Sequence, residues 1–121
     1  MTSREREAFE RSLLEAIDET LSLVLSERTK EAVYAHMERF CNLKRDEIPG
    51  KQDLLTTCLE KIFGRAATVI EKMVLRRFCS KLGIDFDERK DWSFKDHVVF
   101  VERSMGSVSR PPQSELRRDS Q

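Results

Sequence analysis

Glycine and proline are scarce in this chain, four and three of 121 residues. That scarcity argues against an all-β protein, whose many tight turns consume both. Long apolar runs are missing too. The longest, such as Leu23-Val24-Leu25 and Val98-Val99-Phe100-Val101, fall far short of the ~20 residues of a membrane-spanning helix. Met1-Thr-Ser-Arg-Glu-Arg-Glu mixes charges and no apolar h-region follows, so no secretory signal is expected and the reading is cytoplasmic. An excess of either charge is lacking as well. The 22 basic side chains balance the 22 acidic ones, which removes the simplest argument for a dedicated nucleic-acid binder. Cysteines number only three, Cys41, Cys58 and Cys79, widely spaced and without a C-x₂-C pair. Neither a disulfide framework nor a zinc site is expected from that pattern, and the three read as reduced, buried, small apolar residues.

What the chain does have is helical periodicity. Phe9, Leu13, Ile17, Leu21 and Val24 share one stripe, opposite Arg11, Glu15, Asp18 and Glu19, which predicts a helix over about 4–24. Ser26 suits the N-cap of a second helix carrying Val33, Met37, Phe40 and Cys41 inward, and Asn42 suits its exit. Residues 44–50, with Pro49 and Gly50, read as a break. A third helix over 51–63 presents Leu54, Leu55, Cys58, Leu59 and Ile62.

Gly64 separates it from a fourth helix over about 65–82, closed by Gly83. Ala66, Ala67, Val69, Ile70, Met73, Val74, Leu75, Phe78 and Leu82 spread round most of that helix, as expected of a central one. Ser93 can cap a fifth helix in which Phe94, Val98, Val101 and Met105 recur at helical spacing. The expected fold is therefore all-α: a single compact bundle of about five helices around a nearly all-apolar helix four. The domain spans 1–105, and the Ser-, Arg- and Pro-rich stretch 106–121 reads as a disordered polar tail.

Chemistry-bearing motifs are sparse. No phosphate-binding glycine loop or nucleophile elbow occurs. His36 and His97 stand alone, and Asp85, Asp87 and Glu88 lack EF-hand spacing. No catalytic residue, metal site or cofactor is expected. Two features remain as candidate binding surfaces: a basic stripe on helix four, Arg65, Lys72 and Arg76, and an aromatic patch, Phe86, Trp92 and Phe94. The patch reads as a cap over the bundle end in preference to an exposed docking site. The Gly64 junction invites a helix-turn-helix reading, but a recognition helix needs a free polar face, which this apolar helix lacks.

The run Lys61-Ile-Phe-Gly-Arg-Ala-Ala-Thr-Val-Ile-Glu-Lys-Met-Val-Leu-Arg-Arg-Phe-Cys-Ser-Lys-Leu-Gly83 resembles the centre of a small helical family from archaea, first named as a Nitrososphaera output domain, the fifth of that series. Lys44-Arg-Asp-Glu-Ile-Pro49 and Asp91-Trp-Ser-Phe-Lys-Asp-His97 are similar to it too, so the resemblance covers roughly residues 10–104. This chain departs from the pattern at Val98, two positions after Asp96, where members usually carry an aromatic residue.

The resemblance implies a non-enzymatic regulatory or protein-interaction module of archaeal signal transduction, with a protein partner or self-association. Its motifs are structural, so it implies no catalytic residue. Two alternatives stand beside it: a nucleic-acid-associated regulator using the basic stripe, and a small-ligand or thiol-based sensor using the cysteines and a pocket in the bundle. Residues 1–27 hold three arginines against seven acids, while 61–81 hold six basic side chains against Glu71 alone. The acidic first helix and the basic fourth are thus expected to pair, within one bundle or across two subunits.

Overall fold

The computed structural model describes residues 2–107. The order is α1 (Ser3–Val24), α2 (Glu27–Cys41), a 3₁₀ helix (Arg45–Gly50), α3 (Gln52–Phe63), α4 (Ala66–Lys81) and α5 (Phe94–Ser107), with no strand among the described residues. The all-α bundle follows the periodicity. The tail expected over 106–121 lies outside the described residues from 108 onward, and α5 itself runs two residues past the expected boundary.

Local chemistry sets the helix ends. The Thr2 hydroxyl accepts from the Glu5 amide at 3.1 Å, and the Glu5 carboxylate accepts from the Thr2 amide at 2.8 Å, a reciprocal capping box. Ser26 caps α2 by accepting from the Thr29 amide at 3.2 Å. Asn42, at φ 52°, takes the left-handed conformation that ends α2, and the Leu43 amide turns back to the Met37 carbonyl at 3.1 Å. Gly83, at φ 71°, closes α4 in a Schellman motif, with the Ile84 amide donating to the Cys79 carbonyl at 2.9 Å and the Gly83 amide to the Ser80 carbonyl at 3.2 Å. Ser93 and Asp96 form a second reciprocal box before α5, at 3.1 and 2.9 Å.

Helix α4 lies between α1, α3 and α5. Its Ala67, Ile70, Val74, Leu75, Phe78 and Cys79 join Phe9, Leu13, Ile17 and Leu21 of α1 in one core, where the Phe9 and Phe78 rings meet edge to face at 5.2 Å. Helix α5 adds Phe94, Val98 and Val101, at the spacing expected of it. The segment read as a break is ordered as a six-residue 3₁₀ helix that buries Ile48 and Pro49 against the core. Proline is tolerated there because a short 3₁₀ helix asks few amides for an internal bond.

Three large side chains expected inward point out. Val24 stands at the last turn of α1, Phe40 lies on α2 beside His36 and Arg39, and Val69 occupies the open side of α4. In α2 the inward arc is Lys30, Val33, Tyr34 and Met37, so Phe40 falls outside it.

The opposite charges of α1 and α4 meet inside the molecule. Lys81 reaches Glu19 at 2.9 Å and Glu15 at 3.5 Å, and Arg77 reaches Glu19 at 3.3 Å, along an antiparallel helix pair. Lys81 holds the Glu19 carboxyl below the usual carboxylate range, and Glu19 lifts the Lys81 ammonium in turn. A second polar centre joins α1 to α2: Asp18 receives Lys30 at 3.2 Å and the Tyr34 hydroxyl at 3.2 Å, with the Arg45 guanidinium stacked 4.1 Å over the Tyr34 ring and also bonded to Asp18. Burial and the Asp18 charge together push the Tyr34 phenol well up.

The cysteines depart from the sequence reading. Cys41, the last residue of α2, and Cys58, in the middle of α3, are joined by a disulfide with their Cα atoms 6.3 Å apart. Only Cys79 is a free thiol, buried in the core, where burial raises its pKa. The expectation of three reduced thiols fails because the two partners sit 17 residues apart in sequence, and only the packing of α2 on α3 brings them together. With it goes the redox argument for a reducing compartment. What the structure shows in that respect is that no described helix is long and apolar enough to cross a membrane.

Candidate functional site

One cavity gathers the whole aromatic patch and a single member of the basic stripe, Lys72. Thr68, Glu71, Lys72 and Leu75 recur at i, i+3, i+4 and i+7 and so share a face of α4. The segment 84–93 folds over that face, and α5 closes the far side. Between them lies a cavity of about 290 Å³, whose walls include Phe86, Trp92, Phe94 and His97. The aromatic patch thus behaves as the expected cap, with Phe94 buried and Phe86 and Trp92 half-buried.

His97 holds this cap in place. The Arg89 amide must donate, so Nε2 of His97, 3.1 Å away, accepts; Nδ1 then carries the proton and donates to the Ser93 carbonyl at 2.9 Å. Both ring nitrogens of a neutral imidazole are therefore used to pin the segment 89–93 to the first turn of α5. The ring also packs against Phe86 at 5.7 Å and Trp92 at 5.3 Å. Buried and fully bonded, it is a structural staple with no nitrogen left for proton transfer or a metal. His36, by contrast, is exposed on α2. No group of three or more metal-ligating side chains converges among the described residues.

Of the basic stripe, only Lys72 lines the cavity, and it is bound to Glu88 at 2.8 Å, a bond that lowers the Glu88 pKa. Arg76 lies one turn on, its guanidinium 5.9 Å from the Phe86 ring. Arg65 stands exposed at the start of α4. The three do not form a common basic face. The sequence reading missed Glu71, a half-buried carboxylate in the cavity wall with no hydrogen bond or ion pair among the described residues. Burial, with a smaller push from Glu60, lifts its pKa to about 7. Its signal was its isolation: it is the sole acid between residues 61 and 81.

Outside the cap, Trp92 meets a second aromatic, Phe100, at 5.4 Å. Phe100 is 45% exposed, and with Trp92 and Val99 it floors an open groove of about 560 Å³ rimmed by Arg89, Lys95, Asp96 and Arg103. The Arg89 guanidinium lies 5.1 Å over the Trp92 ring. Compared with protein-family profiles, with curated proteins and with solved structures, the chain matches none of them.

Proposed function

We propose that the chain is a non-enzymatic regulatory module of archaeal signal transduction, which works by holding a protein partner on the outward face of α5. One observation carries the reading: Phe100, large and apolar, is 45% exposed beside Trp92 in a groove with a charged rim. Aromatic anchors ringed by polar side chains are the usual composition of an interface hot spot. The resemblance to the archaeal output-domain family supports the signalling context. On the rim Arg89 is paired with Asp87 and Lys95 with Asp53, so the apolar anchor rather than net charge is what selects the partner.

Helix α4 supports the nucleic-acid alternative poorly, because Lys72 is committed to Glu88 and Arg76 to the Phe86 ring. Self-association through the charges of α1 and α4 has lost its argument too, since those charges are met internally.

The test compares wild type with Phe100→Asp, a surface substitution that should leave the circular dichroism and melting temperature close to wild type. Affinity capture from a lysate of the host, together with light scattering, reads binding and self-association. The wild type should retain a partner, or form an oligomer, that Phe100→Asp loses by at least about tenfold. Identical behaviour of the two proteins would overturn the reading.

A further inference from the structure

We propose that the cavity beneath the 84–93 segment is a binding site for a small organic ammonium ion, one that carries an apolar or aromatic body and whose charge meets Glu71. The argument rests on which wall groups already have partners. Lys72 is bound to Glu88 at 2.8 Å, and Arg89 to Asp87 at 3.1 Å. Lys90 is exposed to solvent at the rim. An arriving anion would have to break an existing ion pair or settle for a hydrated surface lysine. An arriving cation meets Glu71, the one half-buried charge of the wall that lacks a partner. A carboxylate withdrawn from water gains more from a charge-assisted hydrogen bond than an exposed one does.

The remaining walls fit the rest of such a molecule. Leu75, Phe86, Trp92 and Phe94 supply apolar surface, and about 290 Å³ is the lower end of the size range of small-molecule sites. His97 offers no competing polar atom, since both of its nitrogens are spent on the backbone. The charged groups facing Glu71 are Glu60 on α3, Lys72 on α4, and Glu88, Arg89 and Lys90 on the covering segment. Glu60 reinforces the preference for a cation. Lys72 and Arg89 oppose it only weakly, because each is neutralised by its own carboxylate.

The protein carries its own reporter, since Trp92 is its sole tryptophan and lines the cavity. Phenethylammonium chloride titrated into the full chain at pH 8 should change Trp92 emission saturably, with a Kd of about 1 mM or tighter. Phenylacetate and phenethyl alcohol, matched in shape but anionic and neutral, should bind at least about tenfold more weakly. Glu71→Gln should lose at least about tenfold in affinity for the amine while melting no lower than wild type. The ammonium stays protonated throughout, so affinity should fall as pH drops from 8 to 5.5, where Glu71 takes up its proton. An absent or unsaturable response to the amine would overturn the assignment. So would equal binding by phenylacetate, or undiminished binding by Glu71→Gln.

Discussion

At the scale of the residue, Glu71 and His97 show opposite ways of burying a polar group. His97 spends both nitrogens on backbone partners. Glu71 has no such partner and responds by holding its proton more tightly, up to about pH 7. The sign of the consequence is definite. Between its unfolded value of 4.5 and about 7, the folded chain binds more protons at this site than the unfolded chain, so stability falls as pH rises through that window. Glu71→Gln should therefore be nearly silent at pH 4.5 and stabilising at pH 8. Solvent screening at a half-exposed site limits the gain to about 1 kcal/mol. Urea unfolding of both proteins at the two pH values measures the difference. Neither role was legible beforehand. A lone histidine and a lone glutamate look alike in sequence whether they face water or a cavity, and only the closure of the 84–93 segment decides between them.

At the scale of the element, the sequence speaks more plainly. Ser26, Asn42, Gly64, Gly83 and Ser93 each occupy a helix boundary for a stereochemical reason that acts within a few residues. The α1 stripe and the Phe94, Val98, Val101 spacing of α5 likewise follow from the helical period alone. What local reasoning cannot see is how two helices meet. Phe40 has the composition of a core residue but lies outside the arc that faces α1, and Cys41 pairs with Cys58 only once α2 has docked on α3.

That disulfide closes a loop of 17 residues, which on chain-entropy grounds stabilises the fold by about 3 kcal/mol. Reduction, or a Cys41→Ala/Cys58→Ala variant, should lower the urea midpoint accordingly. Thiol counting provides the check. The native oxidised chain should label at no cysteine, the denatured oxidised chain at Cys79 alone, and the reduced denatured chain at all three.

At the scale of the whole molecule, the balance of 22 against 22 is an internal cancellation with a spatial address. The acids of α1 face the bases of α4 through Glu15, Glu19, Arg77 and Lys81. Lys81→Glu would place a third carboxylate beside Glu15 and Glu19, and should lower the melting temperature by about 3–6 °C. Adding Glu19→Lys should restore much of that loss, and 1 M salt should shrink it, because the seam is partly open to solvent. A melting temperature indifferent to both substitutions would mean the pairs contribute nothing to docking α1 on α4.

Trp92 stands in two walls at once: its indole lines the cavity beneath the cap and also floors the groove beside Phe100. A ring shared by two surfaces is a place where an occupant of either can alter the other. An occupant of one side that displaces the ring changes affinity at the other side, and by linkage the factor is the same in both directions. The size of the coupling is thus one quantity, measurable from either direction.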